Sequence, residues 1–276
     1  MDPRTIVAFA AKELRDARRN RWFLLYTAAL AALSLGISAL AVSAQGAFGL
    51  AGFGRTTASL VNLVMLVVPL MGLTLGAMSL AGERERGTLL YVLAQPVTAS
   101  EVFLGKYLGL GLALLASLAL GFGASGLVIS WRVGGAQVAG YLGLAGLAFG
   151  LALASLGLGL LISAFARRAS TAVGLSIFAW LGLVLLGDLG LMGTAMVLRV
   201  DVGALFGLAL LNPLQVFKIS AIAGSHGTLE VLGPAGVFAF RTFGAALLPM
   251  LVAVLVAWVL VPLGAGLGVF RWRGAL

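Results

Sequence analysis

The chain has 276 residues, of which 61% are hydrophobic, 10% are charged and none is cysteine, with a formal net charge of +9. Soluble domains carry about 25% charged residues, so this is the composition of a membrane protein, and no stretch is long or polar enough for a separate soluble domain. Without cysteine there is no disulfide, thiolate metal site or thiol nucleophile.

The first element, over residues 1–21, is an amphipathic helix. Ile6, Phe9, Ala10, Leu14 and Ala17 recur at three- and four-residue intervals, with Lys12, Arg15 and Arg19 among the charges mostly opposite. Such a helix is expected to lie in the headgroup layer. Apolar runs then predict six transmembrane helices at 22–44, 57–81, 102–130, 138–165, 170–190 and 245–270. The first of them ends in "ALAVSA", which imitates a signal-peptide cleavage site. The charged region ahead of it, roughly 20 residues long, and the repeated spans that follow favour an uncleaved first span.

Between spans two and three, residues 82–101 interrupt the apolar chain with "GERERGTLLYVLAQPVTASE". At 100° per residue Arg84, Thr88, Tyr91 and Gln95 form one polar stripe, while Leu89, Leu90 and Leu93 fall on another face. Pro96 stops this helix. Thr98 and Glu101 match a T-x-x-E capping box, with Val97 and Val102 in staple positions, and restart the chain as span three. So many ordered signals in a connection predict a rigid docking surface.

Further along, Gly105 with Gly109 and Gly146 with Gly150 are spaced for close helix packing. Gly105-Lys106 is followed by Tyr107 and lacks the preceding glycine of a phosphate-binding loop, so the chain binds no nucleotide by that route. "GASG" at 123–126 resembles the serine motif of rhomboid proteases. The lone His226, however, lies in the turn "GSHG" and outside any span, which disfavours a Ser125–His226 pair. Asp188, near the end of span five, reads as a solvated carboxylate, and Met65, Met71, Met78, Met192, Met196 and Met250 read as core filler before copper ligands.

The segment 191–244 predicts short outer helices. Asn212 is the N-cap and Pro213 the first residue of one of them, and Asp201, Lys218 and Arg241 are among its polar points. With both termini on one side, that side holds thirteen Lys and Arg residues, and five lie opposite. The bias makes both termini and residues 82–101 cytoplasmic and explains the basic charge without nucleic acid.

The segment "GERERGTLLYVLAQPVTASEVFLGKYLG" resembles the connection between spans two and three of ABC-2-type transporter permeases, and the order of elements along the chain agrees. The resemblance implies a non-catalytic, all-α subunit of the bacterial inner membrane. It would work as a homodimer with two copies of a separate cytoplasmic ABC ATPase, which would bind the ATP and Mg2+. By position, Glu83, Arg84, Glu85, Arg86, Gly87, Thr88, Tyr91 and Gln95 would couple to that ATPase, flanked by Lys12, Arg15 and Arg19. Within the family, "RNRW", "TTASLVNLVMLVVPLMGL" and "LNPLQVFK" are similar to permeases serving copper-centre maturation of nitrous-oxide reductase. That similarity implies contact between the segment from Asp201 to Arg241 and a periplasmic copper-maturation protein. An exporter of a lipid or drug-like molecule is the alternative, and an intramembrane protease the remote one.

Overall fold

The computed structural model describes residues 2–48, 51–133, 138–187, 201–224 and 233–273, and it is helical throughout. In chain order the helices are α1 (Pro3–Ala17), α2 (Arg21–Phe48), α3 (Ala51–Glu85), α4 (Thr88–Leu93), α5 (Ala99–Val133), α6 (Val138–Phe165) and α7 (Ala169–Leu185). After them come α8 (Val202–Leu210), α9 (Pro213–Gly224), α10 (Gly233–Phe243) and α11 (Leu247–Arg273). Asp188, Met192, Met196 and His226 lie outside the described residues.

Five stretches are long and apolar enough to cross a bilayer: Arg21–Ala39, Ala58–Glu85, Ala99–Leu127, Gly140–Phe165 and Gly236–Arg273. They agree with five of the expected spans. The sixth, at 170–190, is the shorter α7, which with the wider turn at Leu186–Gly187 rises about 28 Å at 1.5 Å per residue.

Helix α3 is the axis of the bundle, with Leu60, Val64, Val68, Met71 and Leu75 in the main apolar core. It crosses α6 at close range because Gly72, Gly76 and Gly159 present no side chains there. A Cβ on Gly72 would stand 2.9 Å from the Ala152 carbonyl oxygen, and one on Gly76 only 2.6 Å from that of Leu156. The expected pair Gly105 and Gly109 also makes a close contact, but its partner is α1: a Cβ on Gly105 would meet the Phe9 Cβ at 2.5 Å, and one on Gly109 the Ala10 Cα at 2.8 Å. Nothing approaches Gly146 within 4 Å, whereas Gly150 faces Leu255.

These contacts change the reading of α1. The helix starts as its sequence suggests, with the Asp2 side chain accepting from the Arg4 N–H and Pro3 in the first turn. It ends before Asn20, whose side-chain oxygen accepts the Trp22 N–H at 3.0 Å and opens α2. Its expected apolar face is the inward one, but that face is docked on the first turns of α5 and does not lie free in the headgroup layer.

The segment before α11 departs furthest from expectation. Helices α8 and α9, both apolar, meet at 111° across a short break. Helix α9 is buried along most of its length, packed against α6 and α11. Buried backbone in an apolar layer must have its polar groups satisfied, and the elbow is tied by a side chain from α11 and by its own Asn212, which also reaches α7. The Trp258 indole donates to the Leu210 carbonyl at 3.1 Å, the Asn212 amide donates to the Leu183 carbonyl at 2.6 Å, and the Asn212 side-chain oxygen accepts the Leu214 N–H at 2.9 Å. Trp258 lies about 17 Å along α11 from Leu247, well inside the apolar run of that helix. The N-cap at Asn212 and the helix start at Pro213 stand as expected, but both residues are buried and present no outer surface. Asp201, which caps α8 through the Gly203 N–H, and Arg241 are exposed, and Lys218 is half-buried.

Candidate functional site: the charged end of the bundle

Helix α3 does not stop where its apolar run stops. It continues through Gly82, Glu83 and Arg84 to Glu85, and the chain then breaks at Gly87, whose φ of 72° lies in the left-handed region that glycine adopts without penalty. The Thr88 hydroxyl donates back to the Glu83 carbonyl at 3.2 Å, and the six-residue α4 departs in a new direction. This break corrects the single polar stripe expected from sequence, because Arg84 belongs to a different helix from Thr88 and Tyr91. Its guanidinium turns to α6 and donates through Nη1 to the carbonyls of Ser163 and Ala166. Gln95 lies past the end of α4 in the turn before Pro96. Glu85 accepts the Ala169 N–H at 2.9 Å and so caps α7 from the neighbouring helix.

Behind α4 stands a charge cluster that joins three helices. The Lys106 ammonium of α5 is 1% exposed and touches Glu13 of α1 at 2.7 Å and Glu83 of α3 at 2.9 Å. Lys12 reaches the same Glu83 oxygen at 2.6 Å. Two carboxylates thus balance two ammonium groups, a condition for keeping charges out of water. Burial works against the Lys12 ammonium, but its hydrogen bond to Glu83 and the charges of Glu83, Glu13 and Asp16 outweigh that penalty and raise its pKa. The other Glu83 oxygen, Oε2, is enclosed without a hydrogen-bond partner.

A second tie holds the start of α5. Glu101 Oε2 accepts the Thr98 N–H at 2.8 Å while the Thr98 hydroxyl accepts the Glu101 N–H at 3.3 Å, which is the expected capping box. The other Glu101 oxygen accepts the Asp2 N–H at 2.6 Å and anchors the beginning of α1. Val97 packs against the core that holds Val102.

What this framework presents outward is α4. Leu89 is fully buried beneath it, while Tyr91 is 78% and Leu90 61% exposed. Of the leucines expected on a face for lipid or the bundle, Leu89 meets the bundle and Leu90 is turned outward. Thr88, Arg86 and Gln95 are also exposed, as are Lys12 and Arg15 on α1 and Arg19 just past its end. A cavity of about 410 Å3 opens between α1, α3 and α7, with Glu13, Asp16, Glu83, Glu85 and Arg86 among its walls. Of the residues expected to couple, Glu83 and Arg84 are spent on internal contacts, and Tyr91 is the most exposed aromatic of the segment.

Sequence reasoning missed Glu13 and the role of Lys106. The signal for Glu13 was present: it stands three residues after Ala10 and four before Ala17, on the apolar face of α1, where a carboxylate needs a partner. Elsewhere, Ser125 is buried, shares a 2.6 Å hydrogen bond with Ser34 and donates to the Gly121 carbonyl. Among the described residues no group of three His, Cys, Asp or Glu is placed to hold a metal.

A multi-helix membrane domain with this charged connection is the architecture of a transporter permease, and the model of the ABC-2 family transporter proteins matches residues 7–274. The chain belongs to that family. It is similar to the probable ABC transporter permease protein NosY of Stutzerimonas stutzeri, 33% identical over 270 residues that make up 96% of this chain and 97% of that one. The protein of the same name from Pseudomonas aeruginosa is 32% identical over 221 residues, covering 78% of this chain and 80% of that relative. It is a multi-pass membrane protein, the permease of an ABC transporter, and its family implies a partner ATPase.

Proposed function

We propose that the charged end of the bundle faces the cytoplasm and that α4 receives the movement of the ABC ATPase. The observation that carries this reading is the contrast within one short helix: Leu90 and Tyr91 are exposed on an element whose two ends are fixed, by the Gly87 break and by the Thr98/Glu101 box. An exposed Leu–Tyr pair on a rigid mount suits burial in a partner's groove, where aromatic anchors contribute most. Two copies of this chain would pair with two ATPase subunits, which would hold the ATP and Mg2+. This chain would itself be non-catalytic and sit in the bacterial inner membrane with cytoplasmic termini.

The similarity to NosY supports a role in copper-centre maturation of nitrous-oxide reductase. In that role the exposed outer groups Asp201 and Arg241, and not the buried elbow at Asn212 and Pro213, would meet a periplasmic copper-maturation protein. One observation favours the exporter reading: an apolar cavity of about 560 Å3 beside the elbow, lined by α6, α7, α8, α9 and α11.

Co-expression with the ATPase tests the proposal. Leu90→Ser with Tyr91→Ala should leave the chain in the membrane and reduce ATPase co-purification at least about tenfold; full retention of the ATPase and of its stimulated activity would refute it. A maturation device should require the periplasmic protein for its ATPase cycle, whereas an exporter should respond to a membrane-soluble substrate alone.

A further inference from the structure

The cluster of Lys12, Glu13, Glu83 and Lys106 is balanced, but on the other side of α3 three arginines come together. Arg84 enters the junction of α3 and α6 and donates through Nη1 to the Ser163 carbonyl at 3.2 Å and to the Ala166 carbonyl. Its Nε and Nη2 are enclosed and have no partner among the described residues. Arg273, at the end of α11, donates to the Phe165 carbonyl at 3.1 Å and lies 5.1 Å over the Phe165 ring. Arg273 and Arg167 are the neighbouring charges that act on Arg84, and both repel it. Glu85, one residue further, is committed to the Ala169 N–H and makes no ion pair among the described residues. Among the described residues, three guanidinium groups are therefore gathered at the ends of three helices with backbone carbonyls but no carboxylate to balance them, an arrangement that favours a bound anion.

The position identifies the anion. Trp272, next to Arg273, is 83% exposed, Phe165 is 49% exposed, and α11 above them turns Leu260 and Val261 outward. Exposed aliphatic side chains along a span face lipid tails, and exposed Trp beside Arg marks the headgroup level. Basic pockets between spans at this level bind anionic headgroups.

We propose that Arg84, Arg167 and Arg273 form a binding site for the headgroup phosphate of an anionic phospholipid at the perimeter of the bundle. Arg273 and Arg167 make the direct contacts, and the bound phosphate offsets the repulsion on Arg84, which holds the end of α6 to the end of α3. The lipid thereby stabilises the helix end on which α4 is mounted.

The test uses the full chain in dodecyl maltoside, with added palmitoyl-oleoyl phosphatidylglycerol or phosphatidylcholine, and follows melting by tryptophan fluorescence. Phosphatidylglycerol should raise the melting temperature by at least about 3 °C more than phosphatidylcholine. Arg167→Gln with Arg273→Gln should remove at least half of that difference, while Arg15→Gln with Arg19→Gln on α1 should keep it. If the double variant does not fold, Arg167→Gln alone carries the test, since its exposed guanidinium makes no hydrogen bond among the described residues; an unchanged lipid response in that variant overturns the site. Equal melting in the two lipids also overturns it, as does equal loss in the α1 variant, which would mark diffuse attraction. An equal shift from inorganic phosphate would make the site one for free phosphate and overturn the lipid assignment. No lipid response, together with loss of the co-expressed ATPase from Arg167→Gln/Arg273→Gln, would assign the arginines to the protein partner.

Discussion

Two polar interruptions break the apolar run of this chain, residues 82–101 and 201–241, and the structure uses them in opposite ways. The first turns two of its charges inward, Glu83 to Lys106 and Arg84 to α6, and a short helix stands outward with Leu90 and Tyr91 exposed. The second turns its signal residues Asn212 and Pro213 into the bundle, where they fasten an elbow, and leaves Asp201 and Arg241 outside. A capping signal therefore marks a fixed backbone geometry and is silent on which side of the fold that geometry faces.

Mutations can sharpen this contrast, and the largest expected effect is at the base of the first region. Lys106→Met leaves Glu13 and Glu83 without their shared ammonium, and breaking a buried pair costs about 3–5 kcal/mol. The melting temperature in detergent should fall steeply, and adding Glu13→Gln should restore part of it. A variant as stable as the parent would show that the cluster is dispensable.

In the second region, Asn212→Ala removes both the N-cap of α9 and the donor to the Leu183 carbonyl, for a loss of about 1–3 kcal/mol. Thr98→Ala breaks one arm of the capping box and should cost about 1 kcal/mol. Leu90→Ser with Tyr91→Ala should change stability by no more than about 0.5 kcal/mol, because both side chains are exposed. If the melting temperature of that variant dropped as far as that of Asn212→Ala, the division between mount and contact surface would collapse.

The smallest effect concerns pH. The folded pKa of Lys12 is raised above its ordinary 10.5, so its stabilising contribution is fully present below that value and is lost as pH rises through the higher folded value. The difference in melting temperature between the parent and Lys12→Met should be flat from about pH 6 to 9 and shrink only in strong alkali. A difference that already changed near neutrality would place another group in control.

Much of the fold was legible because its causes are local. Apolar runs long enough for a bilayer mark the spans, the Thr98/Glu101 box and the Asn212–Pro213 start act within three or four residues, and the apolar stripe of α1 follows from helical periodicity. The polar stripe failed for an equally local reason given too little weight: Gly87 permits a left-handed turn that separates Arg84 from Tyr91. The resemblance of residues 82–109 to ABC-2 permeases pointed to the right family, which the match over residues 7–274 shows.

By itself the sequence determined that the chain lives in a membrane, where its helices begin, and which connection carries the conspicuous signals. Only the tertiary structure decided which of those signals are internal. Glu13 meets Lys106 across 93 positions of sequence, and Trp258 meets Leu210 across 48. Such pairings depend on how helices pack. In a medium that offers no water to unsatisfied polar groups, packing determines which charges must find each other and which residues are left to face a partner.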